Sequence, residues 1–175
     1  MQVLDFIVRT NEALNDQNHL LKVAPADGVT LPEMFPGQFV QILVDQSSHV
    51  FLRRPISINF VDPEKNEIWL LIQKVGEGSQ KICSVHVGGI INLIFPLGNS
   101  FTLPEKKGKF LLVGGGVGTA PLLFLGKKMK DNDLEPEFLL GGRSGKDILQ
   151  RYTLLHYGRR FYGRERICDS PLRTQ

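Results

Sequence analysis

The sequence predicts a small antiparallel β barrel followed by an incomplete parallel α/β unit. Two observations carry this reading. Residues 1–103 break into about six short apolar stretches of strand length, set apart by turn residues such as Pro36-Gly37, Asp62-Pro63 and Gly88-Gly89, with little helical periodicity. Beyond the polar, turn-rich Pro104-Glu-Lys-Lys-Gly108, the apolar run Lys109-Phe-Leu-Leu-Val113 enters the glycine turn Gly114 to Pro121 and then the apolar helix Leu122 to Met129. The organisation is therefore a barrel over 1–103, a partial dinucleotide-type unit over 104–150, and an aberrant, poorly ordered tail over 151–175.

The elements follow in order. Val3 to Arg9 and His19 to Val23 are half-buried strands joined by a polar loop from Asn11 to Asn18. Pro36-Gly37 turns the chain into Phe39 to Val44, whose alternation suits a barrel wall. Val50 to Phe60 is the next strand, Glu67 to Val75 returns beside it, and Ile90 to Phe95 closes the set. Trp69 and the phenylalanines along these strands are expected in the core. Between them, Gly76-Glu-Gly78-Ser79 leads into the short helix Gln80 to Val85, with Ser79 as its N-cap and Cys83 in the core. In the second unit, Lys109 to Val113 is too uniformly apolar for a half-exposed strand and is expected to be buried on both faces. Pro136 to Leu140 is its parallel partner, and Pro121 stands in the first turn of the helix between them.

The stretch that carries chemistry is Phe51-Leu-Arg-Arg-Pro-Ile-Ser-Ile-Asn-Phe60. Two arginines interrupt an apolar, β-branched run, and a buried unpaired cation is expensive, so Arg53 and Arg54 point to solvent or meet an anion. Arg-Pro-Xaa-Ser offers a guanidinium fork, a preset turn and a hydroxyl. An edge-strand proline beside solvated arginines accounts for the same residues. A glycine beside a helix N-terminus, as at Gly78, lets backbone N–H groups reach an anion, although a helix that only seals the barrel end has the same pattern. The turn Gly114 to Pro121 has the spacing G-x-G-x-x-P from Gly116, in the strand–turn–helix context of a dinucleotide fingerprint. Such turns also occur where a strand meets a helix closely. Arg143 either approaches a cofactor phosphate or is a solvated loop residue.

In their order and spacing, Pro36-Gly37-Gln38-Phe39, Arg54-Pro-Ile-Ser57, Lys74 to Ser79, Phe95-Pro-Leu-Gly-Asn99 and Val113 to Pro121 resemble the ferredoxin reductase superfamily. Within it they resemble most the electron-transfer subunits of bacterial dihydroorotate dehydrogenase type B. The likeness covers about the first 150 residues. It implies a six-stranded Greek-key FAD-binding barrel followed by part of a nicotinamide-binding domain. Carried over residue by residue, it places Arg54 at the flavin pyrophosphate, with Pro55 and Ile56, and Ser57 near the isoalloxazine. Leu71, Ile72 and Gln73 match a second flavin strip, and Gly78 and Ser79 match positions holding the pyrophosphate. Gly114, Gly116, Gly118 and Thr119 match the NAD-binding turn. The implied function is to pass electrons between NAD(H) and a catalytic dihydroorotate dehydrogenase subunit in pyrimidine biosynthesis. No protein acid, base or nucleophile is implied, because the cofactor performs the redox chemistry. A hydrogenase-associated or ferredoxin–NADP reductase, or a truncated non-catalytic remnant, would show many of the same residues.

The family also carries a [2Fe–2S] cluster on four cysteines, and this chain has two, Cys83 and Cys168. Few cysteines, no secretory pattern at Met1-Gln-Val-Leu and no apolar run of membrane-spanning length lead to the expectation of a cytoplasmic protein without a membrane partner. The net charge of +3 does not imply nucleic acid: residues 151–175 alone hold six Arg against Glu165 and Asp169, and the rest is near neutral. That tail also holds all three Tyr and no Lys. His156 to Pro171 can be written in codons whose reading one base later gives a string beginning Thr-Thr-Glu-Asp-Gly-Ser, which resembles the segment the family carries next. The tail therefore reads as the product of a frameshift after about residue 150 of a chain truncated relative to its family.

Overall fold

A computed structural model describes residues 1–45 and 49–142. Arg143, the tail from 151 and the frameshift reading lie outside the described residues. The barrel strands are β1 (Gln2–Ala13), β2 (Asn18–Pro25), β3 (Phe39–Ile42), β4 (Arg54–Asp62), β5 (Glu67–Gln73) and β6 (Ile90–Leu97). They close in the order β1-β2-β5-β4-β3-β6, antiparallel throughout. The return of β6 between β1 and β3 makes the Greek key. Helix α1 (Glu77–Ser84) seals one end, burying Ile82 and Cys83 in the same core as Phe6, Leu93 and Phe95. Burial pushes the Cys83 thiol up to about 11, with Lys74 opposing the shift, so the thiol stays protonated at neutral pH.

Several expectations about element boundaries change. The Asn11–Asn18 loop is shorter than read, because β1 continues to Ala13 through a bulge after Val8. That continuation brings the Asn11 amide to the end of α1, where it donates to the carbonyls of Cys83 (2.7 Å) and Val85 (2.8 Å). β4 begins at Arg54 rather than Val50, and Phe51 is 84% exposed instead of core.

The uninterrupted apolar run of β5 has a two-sided cause. Ile68, Leu70 and Ile72 face the barrel interior, while Trp69 and Leu71 lie outside against helix α2 (Leu122–Asp131). Trp69 is core as expected, packed on Phe60 at 5.1 Å between centroids and capped by the Lys22 ammonium at 3.8 Å. α2 also covers one face of a parallel pair, β7 (Lys109–Gly115) and β8 (Glu135–Gly141). Gly126 permits this: a Cβ there would lie 2.3 Å from the Phe138 ring. The other face of the pair is open, with Leu111 59% and Val113 64% exposed. The expectation that β7 is buried on both faces therefore fails: among the described residues a single helix layer packs on the pair, and a parallel sheet needs two.

Among the described residues a buried polar contact joins the two units. β4 carries a bulge between Ile58 and Phe60, and the extra residue, Asn59, sends its buried amide across to donate to the Ala120 carbonyl at 2.6 Å.

Candidate functional site

Antiparallel pairing brings the start of β4 to the start of α1. From the Ile58–Leu70 pair, running the register back four residues puts Arg54 level with Lys74, just before the helix. There the Arg54 guanidinium lies directly against Gly78: a Cβ on that glycine would sit 2.6 Å from Nε, and its three nearest atoms would all belong to Arg54. Gly78 is buried at the second position of α1, where backbone N–H groups have no partner within the helix. Cation, partial positive charge of the helix end and close backbone thus converge on one spot at the barrel rim.

The two arginines that the sequence left equivalent separate sharply. Arg53 is engaged internally: Nη1 donates to the carbonyls of Gln41 (3.3 Å) and Asn92 (3.2 Å), and Nη2 to Asn92 Oδ1 at 2.6 Å. Asn92 in turn donates to Asp5 Oδ1 at 2.6 Å. Arg53 therefore ties β4 to β3 and β6. Arg54 donates Nη1 to the Leu52 carbonyl at 3.1 Å and turns the rest of its fork toward Gly78.

Ser79 is not the N-cap. Gly76, extended at φ −166°, occupies that position, and Ser79 is the third helical residue. Its hydroxyl reaches back, accepting from the Val75 N–H (2.9 Å) and Gly76 N–H (3.1 Å) and donating to the Gly76 carbonyl (2.9 Å). The hydroxyl is consumed in shaping the turn, and the backbone N–H is what Ser79 offers a ligand.

The remaining candidates divide by exposure. Pro55 is exposed and Ile56 and Ser57 are half-buried along β4, paired with Gln41, Val40 and Phe39. The Leu71 side chain is buried under α2 and the Ile72 side chain fills the barrel, so neither side chain can touch a ligand and only their backbone is left. Gln73 is half-buried, with its amide 3.4 Å from Gln17 Oε1. His19 has its pKa lowered by burial and then by Lys74; its Nδ1 lies 2.8 Å from Asn11 Oδ1. Both Asn11 amide protons are already given to helix carbonyls, so Nδ1 is the donor.

In the second unit the glycines have two different roles. Gly114 is structural, since a Cβ would lie 2.7 Å from Leu122 Cδ1 and 3.2 Å from Thr119 Cα. Gly115, Gly116 and Gly118 face open space, and Gly116 takes φ +53° at the head of a 3-10 turn over Gly116–Thr119. Thr119 Oγ1 closes that turn by donating to the Gly116 carbonyl at 2.9 Å. Pro121 stands immediately before α2 rather than within it.

The chain is 37% identical over 155 residues, 87% of its length, to the dihydroorotate dehydrogenase B (NAD(+)) electron transfer subunit of Shouchella clausii. It is 42% identical over 99 residues to the corresponding subunit of Caldanaerobacter subterraneus. The chain is similar in sequence to these electron transfer subunits. It spans 58% of the length of the first of them and 38% of the second. No family model matches. Among solved structures, the flavohem-like FAD/NAD binding domain of nitric oxide dioxygenase from Vibrio cholerae aligns with a TM-score of 0.77 at 19% identity, over 97% of this chain and 82% of that one. At that identity it shows the fold, a barrel joined to an α/β unit, which is what the strand order displays.

Proposed function

We propose that this chain is a FAD-binding electron-transfer subunit, passing electrons between NAD(H) and a catalytic dihydroorotate dehydrogenase subunit in pyrimidine biosynthesis in the cytoplasm. The observation that carries it is the Arg54 guanidinium lying on Gly78 at the head of α1. A diphosphate has the charge and the acceptors for that spot, and a side chain in place of Gly78 would fill it. Arg54 and the Gly78 and Ser79 N–H groups hold the pyrophosphate, Pro55, Ile56 and Ser57 lie along the flavin, and the backbone of Leu71 to Gln73 borders it. When bound, FAD supplies hydride acceptance and electron release. The protein binds, orients and excludes water.

The open backbone of Gly116 and Gly118, with Thr119 fixing the turn and Gly114 drawing β7 onto α2, fits a second diphosphate, that of NAD(H). An iron–sulfur cluster does not fit this chain's own residues: Cys83 is buried in the barrel core, and Cys168 cannot make four. No helix among the described residues is long and apolar enough to cross a membrane.

Titrating the protein with FAD, followed by visible absorbance and calorimetry, tests the reading. Wild type is expected to bind one FAD, and Arg54→Ala to weaken it by about 1.5–3 kcal/mol, the range for a hydrogen bond to a charged group. Equal affinity for the two proteins, or no FAD uptake by wild type, refutes it.

A further inference from the structure

We infer that Phe51 and Leu52 form the subsite for the adenosine arm of the dinucleotide, making this segment the device that selects FAD over FMN. The inference rests on the flavin reading above and goes beyond it. Phe51 is 84% exposed and Leu52 75% exposed, an adjacent pair of large apolar side chains just before β4. Scattered exposed apolar residues need no explanation. These differ in where they are held: the guanidinium that lies against Gly78 also donates to the Leu52 carbonyl, so one cation touches both the anion spot and the backbone at the second residue of the apolar pair.

Direction along the chain then assigns the two arms. A dinucleotide leaves its diphosphate on two sides. From Arg54, one side runs down β4 through Pro55, Ile56 and Ser57, and the other runs back through Leu52 to Phe51. With the isoalloxazine along the first, the adenosine goes to the second, where a phenyl face and a leucine offer the apolar contact a purine stacks on.

FMN shares the isoalloxazine and one phosphate but lacks the adenosine, so it separates the two arms. Calorimetric titrations with FAD and FMN are made on wild type and on a Phe51→Ser, Leu52→Ser double variant. Both positions are exposed and outside regular structure, so the fold is unaffected, which circular dichroism checks. Wild type is expected to prefer FAD. In the variant, FAD affinity is expected to fall about tenfold or more while FMN affinity stays within about twofold, erasing the preference, the scale of one lost base–aromatic stack. ADP is expected to compete with FAD in wild type and to compete about tenfold less well in the variant, where only its diphosphate is still held. An unchanged FAD-to-FMN ratio in the variant overturns the inference and leaves the flavin reading intact, the segment then being a contact for a protein partner. Failure of wild type to bind either flavin overturns both.

Discussion

Replacing Gly78 with leucine is expected to strip the protein of flavin while leaving it folded. The Cβ alone would stand 2.6 Å from Arg54 Nε, so the guanidinium has to swing away, and the rest of the side chain occupies the space its fork now faces. Folding survives because Arg54 is a flexible side chain and Gly78 lies within an ordinary helical turn, where leucine is the better helix former by about 0.5–1 kcal/mol. Loss of the arginine contact together with the close backbone approach is expected to lower FAD affinity by about a hundredfold, two charge-assisted contacts at once. Visible absorbance of the purified variant, beside its thermal unfolding curve, makes the check. Full flavin content in a normally folded Gly78→Leu protein would show that the anion spot is elsewhere.

The second large effect concerns the joint between the two units. Asn59→Leu removes a buried donor and leaves the Ala120 carbonyl, also buried, without it. The expected loss is about 2 kcal/mol, the desolvation cost of an orphaned buried acceptor with the bond itself. Ala120 opens the approach to α2, whose packing on Trp69 and Leu71 depends on that placement, so the α/β unit is expected to loosen first. Urea unfolding measures the loss, and limited proteolysis locates it. A midpoint shift corresponding to less than about 0.5 kcal/mol would mean that the apolar contact alone holds the joint.

Much of this architecture was legible because it rests on local rules. Alternation and turn residues mark the barrel strands, and the unbroken apolar run at Ile68 to Ile72 records a strand covered on both sides, by core within and helix without. The strand–glycine–helix order likewise marks the second unit. What stayed hidden depends on partners distant in sequence. Arg53 and Arg54 are adjacent and chemically identical, and only barrel closure, which brings Asn92 beside Arg53, decides which one is spent internally. The helix start is not visible in the sequence because a glycine N-cap has no side chain to advertise it, while Ser79 has the residue type of a cap and works from inside the helix. Asn59 had one signal, a single amide in an apolar run, but the bulge that re-aims it follows from pairing register. For Leu71 and Ile72, the matched positions could be read but not that their side chains serve the core.

A crystal structure of the protein with FAD bound would fix where the diphosphate lies. Pyrophosphate oxygens are expected within about 3 Å of both the Arg54 guanidinium and the N–H groups of Gly78 and Ser79, the span of a charge-assisted hydrogen bond. A flavin seated with its pyrophosphate away from that junction would mean that Arg54 and Gly78 do not form the flavin's anion site.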